Sequence, residues 1–276
     1  VSRFHQKKTG DLYLVEYPAS AKAAASGQIL VLTHIDTVWP VGKIATMPFF
    51  ISGNRVYGPG VLDMKVGLVM AVFALKGLHQ LSIRPARRIA VFINSAEETG
   101  SEGSEEMILR LAKRSTFVLC LEPALPGGAL KTQRKGRLVL RLEVKGRAAH
   151  AGTPQQGVNA IDELMAQIRR LKRLASSGVT LNIGQIGGGE KANVVAERAW
   201  AVLDWRFWNA KQQEKIRSMS RQLQPTLAGA KIKGSVESLT PPLEKTKPSA
   251  QLLAEVRKIA SSLGLTLEDG KTGGGS

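Results

Sequence analysis

Residues 29–36 read Ile-Leu-Val-Leu-Thr-His-Ile-Asp, an apolar run followed at once by an imidazole and a carboxyl group. A short apolar run rich in β-branched residues predicts a buried strand over Ile29–Thr33. Two further apolar runs, Arg88–Asn94 and Phe117–Leu121, are also followed by acidic residues. The same pattern, a buried strand that ends in polar chemistry, therefore occurs three times in the first half of the chain.

Helices are predicted between these strands, at Val66–Gln80 and at Gly103–Lys113. The apolar residues of the first helix run nearly all round it, which predicts burial on most of its faces. Apolar strands that alternate with helices favour a mostly parallel sheet covered on both faces. The fold class of this first part is therefore predicted to be α/β.

The pattern changes after Pro126, where alternation of apolar and polar residues predicts a strand over residues 138–144 with one wetter face. The elements predicted after it are a helix at Val158–Leu174, strands at Val179–Ile186 and Ala199–Trp208, a helix at Ala210–Leu227 and a strand at Lys231–Val236. This order is typical of a ferredoxin-like α+β domain. We predict a first domain over residues 1–134, an inserted domain over 135–243, and a return to the first domain over 244–276, with a helix at Gln251–Leu263.

Composition excludes several classes of protein. The chain of 276 residues is 43% hydrophobic and 22% charged, as expected of a globular protein. Its longest uncharged apolar run, Val66–Leu75, is too short to span a membrane, and its one cysteine excludes an intrachain disulfide and a thiolate metal site. The net charge of +17 is spread along the chain, without aromatic residues inside its basic clusters, so nucleic acid is not expected as a partner.

Acidic or imidazole groups fall just beyond the strand ends of the first domain: His34 and Asp36, Asp63, Glu97 and Glu98, and Glu122. Ligands of open α/β sheets bind beyond the carboxyl ends of the strands, so we expect these groups to share one crevice. Taken singly, each has an ordinary structural explanation: Asp63 as a helix cap, Glu97-Glu98 as a solvated turn, and His34 as a hydrogen-bonded structural histidine. Their convergence is the argument for a site.

Clustered carboxylates repel one another unless a cation neutralises them. A histidine with several carboxylates suits zinc, or less selectively cobalt or manganese. One carboxylate can bridge two ions, and a further carboxylate beside them can accept a proton from a water molecule that the ions activate. The residues therefore indicate a site for divalent metal, which could hold one ion or a bridged pair.

Five motifs make the chain similar to a known family. They are Thr33-His34-Ile35-Asp36-Thr37-Val38, Gly58-x-Gly60-x-x-Asp63-Met64-Lys65, Ser95-Ala96-Glu97-Glu98-Thr99-Gly100-Ser101, Leu121-Glu122-Pro123 and Ala149-His150-Ala151-Gly152. In order and spacing, essentially the whole chain resembles the two-metal metallopeptidases and deacylases. That family includes glutamate carboxypeptidase of the carboxypeptidase G type, aminoacylase, acetylornithine deacetylase and succinyl-diaminopimelate desuccinylase. The nearest branch is the carboxypeptidase G type.

The resemblance implies a role for each site residue. His34 and Glu122 would hold one ion and Glu98 the other, with Asp63 bridging them. Asp36 would orient His34, and Glu97 would be the general base that deprotonates the attacking water and then protonates the leaving amine. The peptide bond after the bridging aspartate, here Asp63–Met64, is expected to be cis.

The inserted domain resembles the family's lid and dimerisation domain, which implies a homodimer. His150 would reach the active site of the partner subunit and support the developing oxyanion, while Asn193 and Arg206 would bind the substrate's carboxylate. An arginine suits this role because its fork matches a carboxylate with two hydrogen bonds. The implied substrate is an N-acyl amino acid, a glutamate conjugate or a peptide.

The chain departs from the family at its end, because relatives continue beyond Gly273–Ser276 and supply a last histidine ligand there. We therefore expect the chain to be a fragment that holds the second ion weakly and need not be active by itself. The leading interpretation is an amidohydrolase or carboxypeptidase that cleaves an amide bond next to a free carboxylate. The alternatives are aminoacylase or deacetylase specificity, and a non-catalytic basic binding module on the same scaffold.

Overall fold

A computed structural model describes residues 1–21, 27–176 and 178–275 of the chain. These residues form two compact units, Val1–Ala124 and Leu125–Ser276. None of the helices in the described ranges has the length and apolar character that a membrane crossing requires.

The first unit contains a five-stranded sheet and a small hairpin. Its strands are β1 (Ser2–Phe4), β2 (Leu12–Tyr17), β3 (Gln28–His34), β4 (Phe50–Ser52), β5 (Arg55–Tyr57), β6 (Arg88–Asn94) and β7 (Ser115–Cys120). The sheet has the order β1-β2-β6-β3-β7, and β4 pairs with β5. Strands β6, β3 and β7 are parallel neighbours, and β2 runs antiparallel to both β6 and β1. Four of the five strands therefore point the same way, which confirms the predicted α/β class.

Two helices accompany this sheet, α1 (Val66–Gln80) and α2 (Glu105–Lys113). The predicted burial of α1 on most faces is wrong for this chain. Gly67 and Ala71 are its buried residues, whereas Met70 is 62% and Phe73 is 66% exposed. The glycine is required by packing, because a Cβ atom there would lie 2.2 Å from the carbonyl oxygen of Leu121. An apolar composition thus predicted the helix correctly but not the number of neighbours that cover it.

The centre of the first sheet is an apolar core in which Leu30, Ala90 and Phe92 are fully buried. In the register of the parallel strands, His34 pairs with Asn94, and Leu32 pairs with Cys120. The residues that follow β3, β6 and β7 consequently emerge at one edge of the sheet. This alignment is what brings distant acidic residues to a single place.

The second unit contains β8 (Leu130–Lys145), α3 (Ala160–Lys172), β9 (Thr180–Gly188), β10 (Arg198–Phe207), α4 (Ala210–Arg221), β11 (Lys231–Thr240), α5 (Lys247–Ser262) and β12 (Asp269–Gly275). Four strands form an antiparallel sheet in the order β11-β8-β10-β9. The helices α3 and α4 connect its strands as in a ferredoxin-like domain, so this prediction is confirmed.

Some element bounds differ from the predicted ones. The helix expected to reach Leu227 ends at Arg221, four residues before Pro225, which cannot donate a helical hydrogen bond. The strand β8 begins at Leu130, where β12 runs parallel to it. The helix α5 and the strand β12 lie in the compact unit Leu125–Ser276. The division into residues 1–134, 135–243 and 244–276 stays a prediction.

One face of the second sheet is covered by α3 and α4 and forms a continuous apolar core. Leu138, Leu142, Leu203, Trp205 and Phe207 are fully buried in it. The helix α3 also carries Glu163, which is 0% exposed. Its carboxylate accepts hydrogen bonds from the backbone N–H groups of Thr226 at 3.0 Å and Leu227 at 2.7 Å, and from the side-chain amide of Gln167 at 2.6 Å. A buried charge is tolerated there because donors surround it.

Replacing Glu163 by glutamine should therefore destabilise the second unit. The variant Glu163→Gln keeps the shape but turns an NH₂ group toward backbone donors, and we expect the free energy of unfolding to fall by about 2–3 kcal/mol. Chemical denaturation measures the change. The exposed Glu190→Gln serves as the control, and a loss no larger than in that control would contradict the role of Glu163.

Candidate functional site

The imidazole of His34 is the centre of the site. The side chain stands at the end of β3 and is 1% exposed. Its Nε2 atom lies 3.3 Å from Asp63 Oδ1, 3.3 Å from Glu122 Oε1 and 3.9 Å from Glu97 Oε2. The structure thus brings together residues that are up to 88 positions apart in the chain, at the edge where parallel strands end.

Asp36 connects the imidazole to the two glutamates. Its backbone carbonyl lies 3.1 Å from His34 Nδ1, and its Oδ1 atom lies 3.3 Å from the same nitrogen. The two carboxylate oxygens also accept the backbone N–H groups of Glu97 at 3.2 Å and Glu98 at 3.0 Å. An acceptor behind Nδ1 keeps a proton on that atom and orients the ring so that Nε2 faces the carboxylates.

A tight loop presents Asp63. The Asp63–Met64 peptide bond is cis, as expected. Gly60 has φ of +68°, and a Cβ atom there would lie 2.4 Å from Thr37 Cγ2. The Met64 side chain is buried, and its sulfur accepts the backbone N–H of His34 at 3.2 Å. The contact of the Met64 sulfur with His34 and the turn at Gly60 together hold the loop against the end of β3.

Asn94 is a positioning residue that sequence reasoning missed. It ends β6 and is buried; its Oδ1 accepts the backbone N–H of Ala96 at 3.1 Å, and its Nδ2 donates to Ser101 Oγ at 3.0 Å. Its backbone carbonyl accepts the N–H of Ile35 at 2.9 Å. Asn94 therefore holds both the loop with the two glutamates and the segment after His34. A polar side chain at the end of an apolar strand was the available signal.

The charges at this site disturb one another. Burial would lower the pKa of His34, but its hydrogen bond to Glu122 and the nearby carboxylates outweigh burial and raise that pKa to about 9. Burial raises the pKa of Asp63, Glu97 and Glu98, and neighbouring carboxylates raise them further, while His34 opposes the shift. These carboxylates are thus poorly neutralised by the protein alone.

The donor atoms form two groups that could each hold a cation. One consists of His34, Asp63 and Glu122, and the other of His34, Glu97 and Glu98, with the donor atoms of each group within 4.8 Å of one another. The first group has three of the predicted ligands. The second group differs from the sequence interpretation. It contains Glu97 next to Glu98, whereas the interpretation paired Glu98 with Asp63. Zinc accepts imidazole nitrogens and carboxylate oxygens as ligands. Because the carboxylates repel one another, a cation between them is favourable, and the residues therefore fit a divalent metal.

The remaining predicted residues belong to the second unit. The backbone N–H of Ala151 donates to the carbonyl of Asn193 at 3.0 Å, and His150 forms an antiparallel bridge with Val194. These contacts bring His150 and Asn193 together. Arg206 lies on β10, where its Nε and Nη2 atoms donate to the Asp204 carboxylate at 2.6 and 3.2 Å.

Fold and site define a metallopeptidase-type protein. The model of peptidase family M28 matches residues 14–178, more than half of the chain. The model of the M20 peptidase dimerisation domain matches residues 132–227. The chain therefore belongs to peptidase family M28, and these family matches imply binding of a divalent metal, typically zinc.

Curated relatives agree with this assignment. Carboxypeptidase G2 of Pseudomonas sp. is 29% identical over 92% of this chain and 63% of its own length. Acetylornithine deacetylase of Edwardsiella ictaluri is 27% identical over 79% of this chain and 60% of its own length. The chain thus spans less than two thirds of the length of these relatives.

Solved structures share the fold. Aminopeptidase PepT of Bacillus cereus is similar with a TM-score of 0.71 and 21% identity, over 96% of this chain and 71% of that one. The M20 family metallo-carboxypeptidase Sso-CP2 of Sulfolobus solfataricus is similar with a TM-score of 0.61 and 17% identity, over 99% of this chain and 77% of that one. At this level of identity the similarity extends to the fold.

The pairing of Asp204 with arginines predicts a pH-dependent contribution to stability. Burial would raise the pKa of Asp204, but hydrogen bonds from Arg206 and Arg137 outweigh it and lower the pKa. The stabilisation is then present above the unfolded-state pKa of about 3.9 and is lost as pH falls through the lower folded-state pKa. The variant Asp204→Asn should lose about 1–2 kcal/mol at pH 7.

Denaturant titrations of wild type and Asp204→Asn at several pH values measure this effect. The difference between the two proteins should shrink as the pH falls below about 4. The exposed pair of Glu143 with Arg141 provides the control, and Glu143→Gln should change stability by less than about 1 kcal/mol. A difference for Asp204→Asn that is independent of pH would contradict the interpretation.

Proposed function

We propose that the protein is a metal-dependent amidohydrolase of the carboxypeptidase kind, which hydrolyses an amide bond next to a free carboxylate. The observation that carries the proposal is the arrangement around His34, where Nε2 faces oxygen atoms of Asp63 and Glu122 at 3.3 Å and of Glu97 at 3.9 Å. A merely structural histidine needs no such ring of carboxylates, whose burial and repulsion are costly without a cation.

The proposed site holds two divalent ions, most naturally zinc, with cobalt or manganese as alternatives. His34 and Glu122 would hold one ion and Glu98 the other, with Asp63 between them. When bound, the ions supply positive charge that polarises an amide carbonyl and makes a water molecule more acidic. Asp36 orients the His34 ring for this task through its contacts with Nδ1 at 3.1 and 3.3 Å.

Glu97 is the proposed general base. Its carboxyl group has a pKa raised mainly by burial, with Glu122 and Glu98 adding to the shift. A raised pKa makes a carboxylate a stronger base, and general acid–base catalysis is most effective when the pKa of the group lies close to the working pH. In the proposed reaction Glu97 takes the proton from the attacking water and delivers it to the nitrogen of the leaving amine.

Residues of the second unit are proposed to bind the substrate. Arg206 uses Nε and Nη2 to bind Asp204, and among the described residues its Nη1 atom makes no hydrogen bond, so Nη1 can donate to a carboxylate. Asn193 would contribute a second polar contact, and His150 a hydrogen bond to the carbonyl oxygen of the reacting amide. The named relatives, a carboxypeptidase and an acetylornithine deacetylase, support amide substrates that carry a carboxylate.

The assembly is proposed to be a homodimer, supported by the match to a peptidase dimerisation domain over residues 132–227. The proposed domains are a catalytic domain over residues 1–134 and 244–276 and a lid and dimerisation domain over residues 135–243. His150 would then serve the site of the partner subunit.

Substitution of Glu97 tests whether this residue is the general base or a metal ligand. The variant Glu97→Gln should lower kcat by at least about 100-fold, because the proton acceptor is lost, while zinc content stays near that of wild type. His34→Ala is the matched control, in which both metal content and turnover should fall. Elemental analysis and an amide-hydrolysis assay give the two readings. If Glu97→Gln loses metal as His34→Ala does, Glu97 is a ligand, and its assignment as the base is wrong.

The carboxylate requirement is tested with matched substrates. The zinc-reconstituted protein should hydrolyse N-benzoyl-glycine or N-benzoyl-L-glutamate faster than N-methylbenzamide, which lacks the carboxylate, at the same concentration. A charge-assisted contact is worth about 1.5–3 kcal/mol, so kcat/KM should differ by at least about tenfold. Equal rates for the two kinds of amide would contradict the proposed substrate class, and a preference for N-acetyl amino acids would assign deacetylase specificity.

A further inference from the structure

The backbone around His150 is held on both sides. Its carbonyl accepts the N–H of Thr153 at 2.9 Å, which closes a turn. Ala151 donates to the carbonyl of Asn193 at 3.0 Å, and Val195 donates to the carbonyl of Ala149 at 2.9 Å. The position of the His150 backbone is therefore set by the segment that carries Asn193.

The ring of His150 is held as well, by a residue two positions further on. The backbone N–H of Gly152 donates to Nδ1 at 3.0 Å. A Cβ atom at position 152 would lie 3.1 Å from Nδ1 and 3.5 Å from Cε1. The first of these distances is tight, so a glycine gives the ring room to approach the backbone donor. The hydrogen bond from Gly152 and the lack of a side chain at this glycine both favour the same orientation of the His150 ring.

An imidazole nitrogen that accepts a hydrogen bond carries no proton, so the neutral ring must carry its proton on the other nitrogen. Among the described residues no group forms a hydrogen bond with His150 Nε2, and the side chain is exposed. We propose that the Gly152 N–H fixes His150 in the tautomer protonated on Nε2, so that Nε2–H is a neutral donor for the carbonyl oxygen of an amide substrate. The substrate part of this inference rests on the proposed function; the tautomer does not.

Gly152 is thus a positioning residue that acts through His150. A neutral donor can stabilise negative charge that develops on a carbonyl oxygen without giving up its proton. Had Nδ1 carried the proton instead, Nε2 would present a lone pair, which repels such an oxygen.

Nuclear magnetic resonance of ¹⁵N-labelled protein tests the tautomer directly. Long-range ¹H–¹⁵N spectra at a pH where the ring is neutral should show His150 Nδ1 as unprotonated and Nε2 as protonated. A scalar coupling between the Gly152 amide nitrogen and His150 Nδ1 should be detected across the hydrogen bond. The spectrum of His150→Gln assigns the signals. A proton on Nδ1, or the absence of the coupling in the wild-type protein, overturns the inference.

The variant Gly152→Pro removes the donor. We expect His150 to shift toward a mixture of both neutral tautomers, as expected of an exposed histidine whose ring nitrogens have no fixed partner; the exposed His79 is the internal control. An unchanged tautomer ratio in a folded variant overturns the role of Gly152. If the variant does not fold, the coupling in the wild-type protein decides the question.

Activity tests the donor separately. His150→Gln keeps a side-chain N–H, whereas His150→Leu has none, so His150→Leu should lose at least about tenfold more kcat than His150→Gln. Equal losses overturn the donor role. The ring-nitrogen spectrum decides the tautomer even in a protein that hydrolyses nothing, so a failure of this inference and a failure of the proposed function are distinguishable.

Discussion

One electrostatic constraint governs the first unit: carboxyl groups that follow β6 and β7, and one from the segment just before α1, face a single buried imidazole. Asp63, Glu97 and Glu122 all lie within 4 Å of His34 Nε2. The resulting field raises the pKa of His34 to about 9 and also raises the pKa of Asp63, Glu97 and Glu98. Such an arrangement persists only where the surrounding hydrogen bonds hold the groups in place, and it is well suited to a cation.

Those hydrogen bonds come mainly from two residues. Asp36 receives the backbone N–H groups of Glu97 and Glu98 while it contacts the His34 ring. Asn94 binds the start and the end of the loop that carries the glutamates. The loop that carries the glutamates is therefore held by hydrogen bonds between its backbone amides and side chains at strand ends. Such anchoring suits chemistry in which small displacements are costly.

Several basic side chains have aromatic neighbours in the folded structure that they lack in the sequence. Lys135 belongs to a basic cluster without aromatic neighbours in sequence, yet its Nζ lies 5.3 Å from the centre of the Trp208 ring, as does Nζ of Lys271. Arg141 lies 4.9 Å from the Trp200 ring. Trp200 on β10 and Trp208, the residue that follows β10, thus lie next to cations of β8 and β12, an arrangement that adjacency in the sequence does not reveal.

The sequence by itself predicted the main strands and helices of both units and the acidic and imidazole groups expected at the site, because hydrophobic periodicity and the polar groups at strand ends are local signals. It did not predict the strands β1, β4, β5 and β12. Val66–Gln80 was predicted with its observed bounds, yet its burial was wrong, since burial depends on which neighbours are present. Only the tertiary structure decided that Asp36 also binds the glutamate amides, that Asn94 fastens their loop, and that Gly152 holds the His150 ring. Each of these depends on a distance of a few ångströms between backbone and side chain, which a residue pattern does not encode.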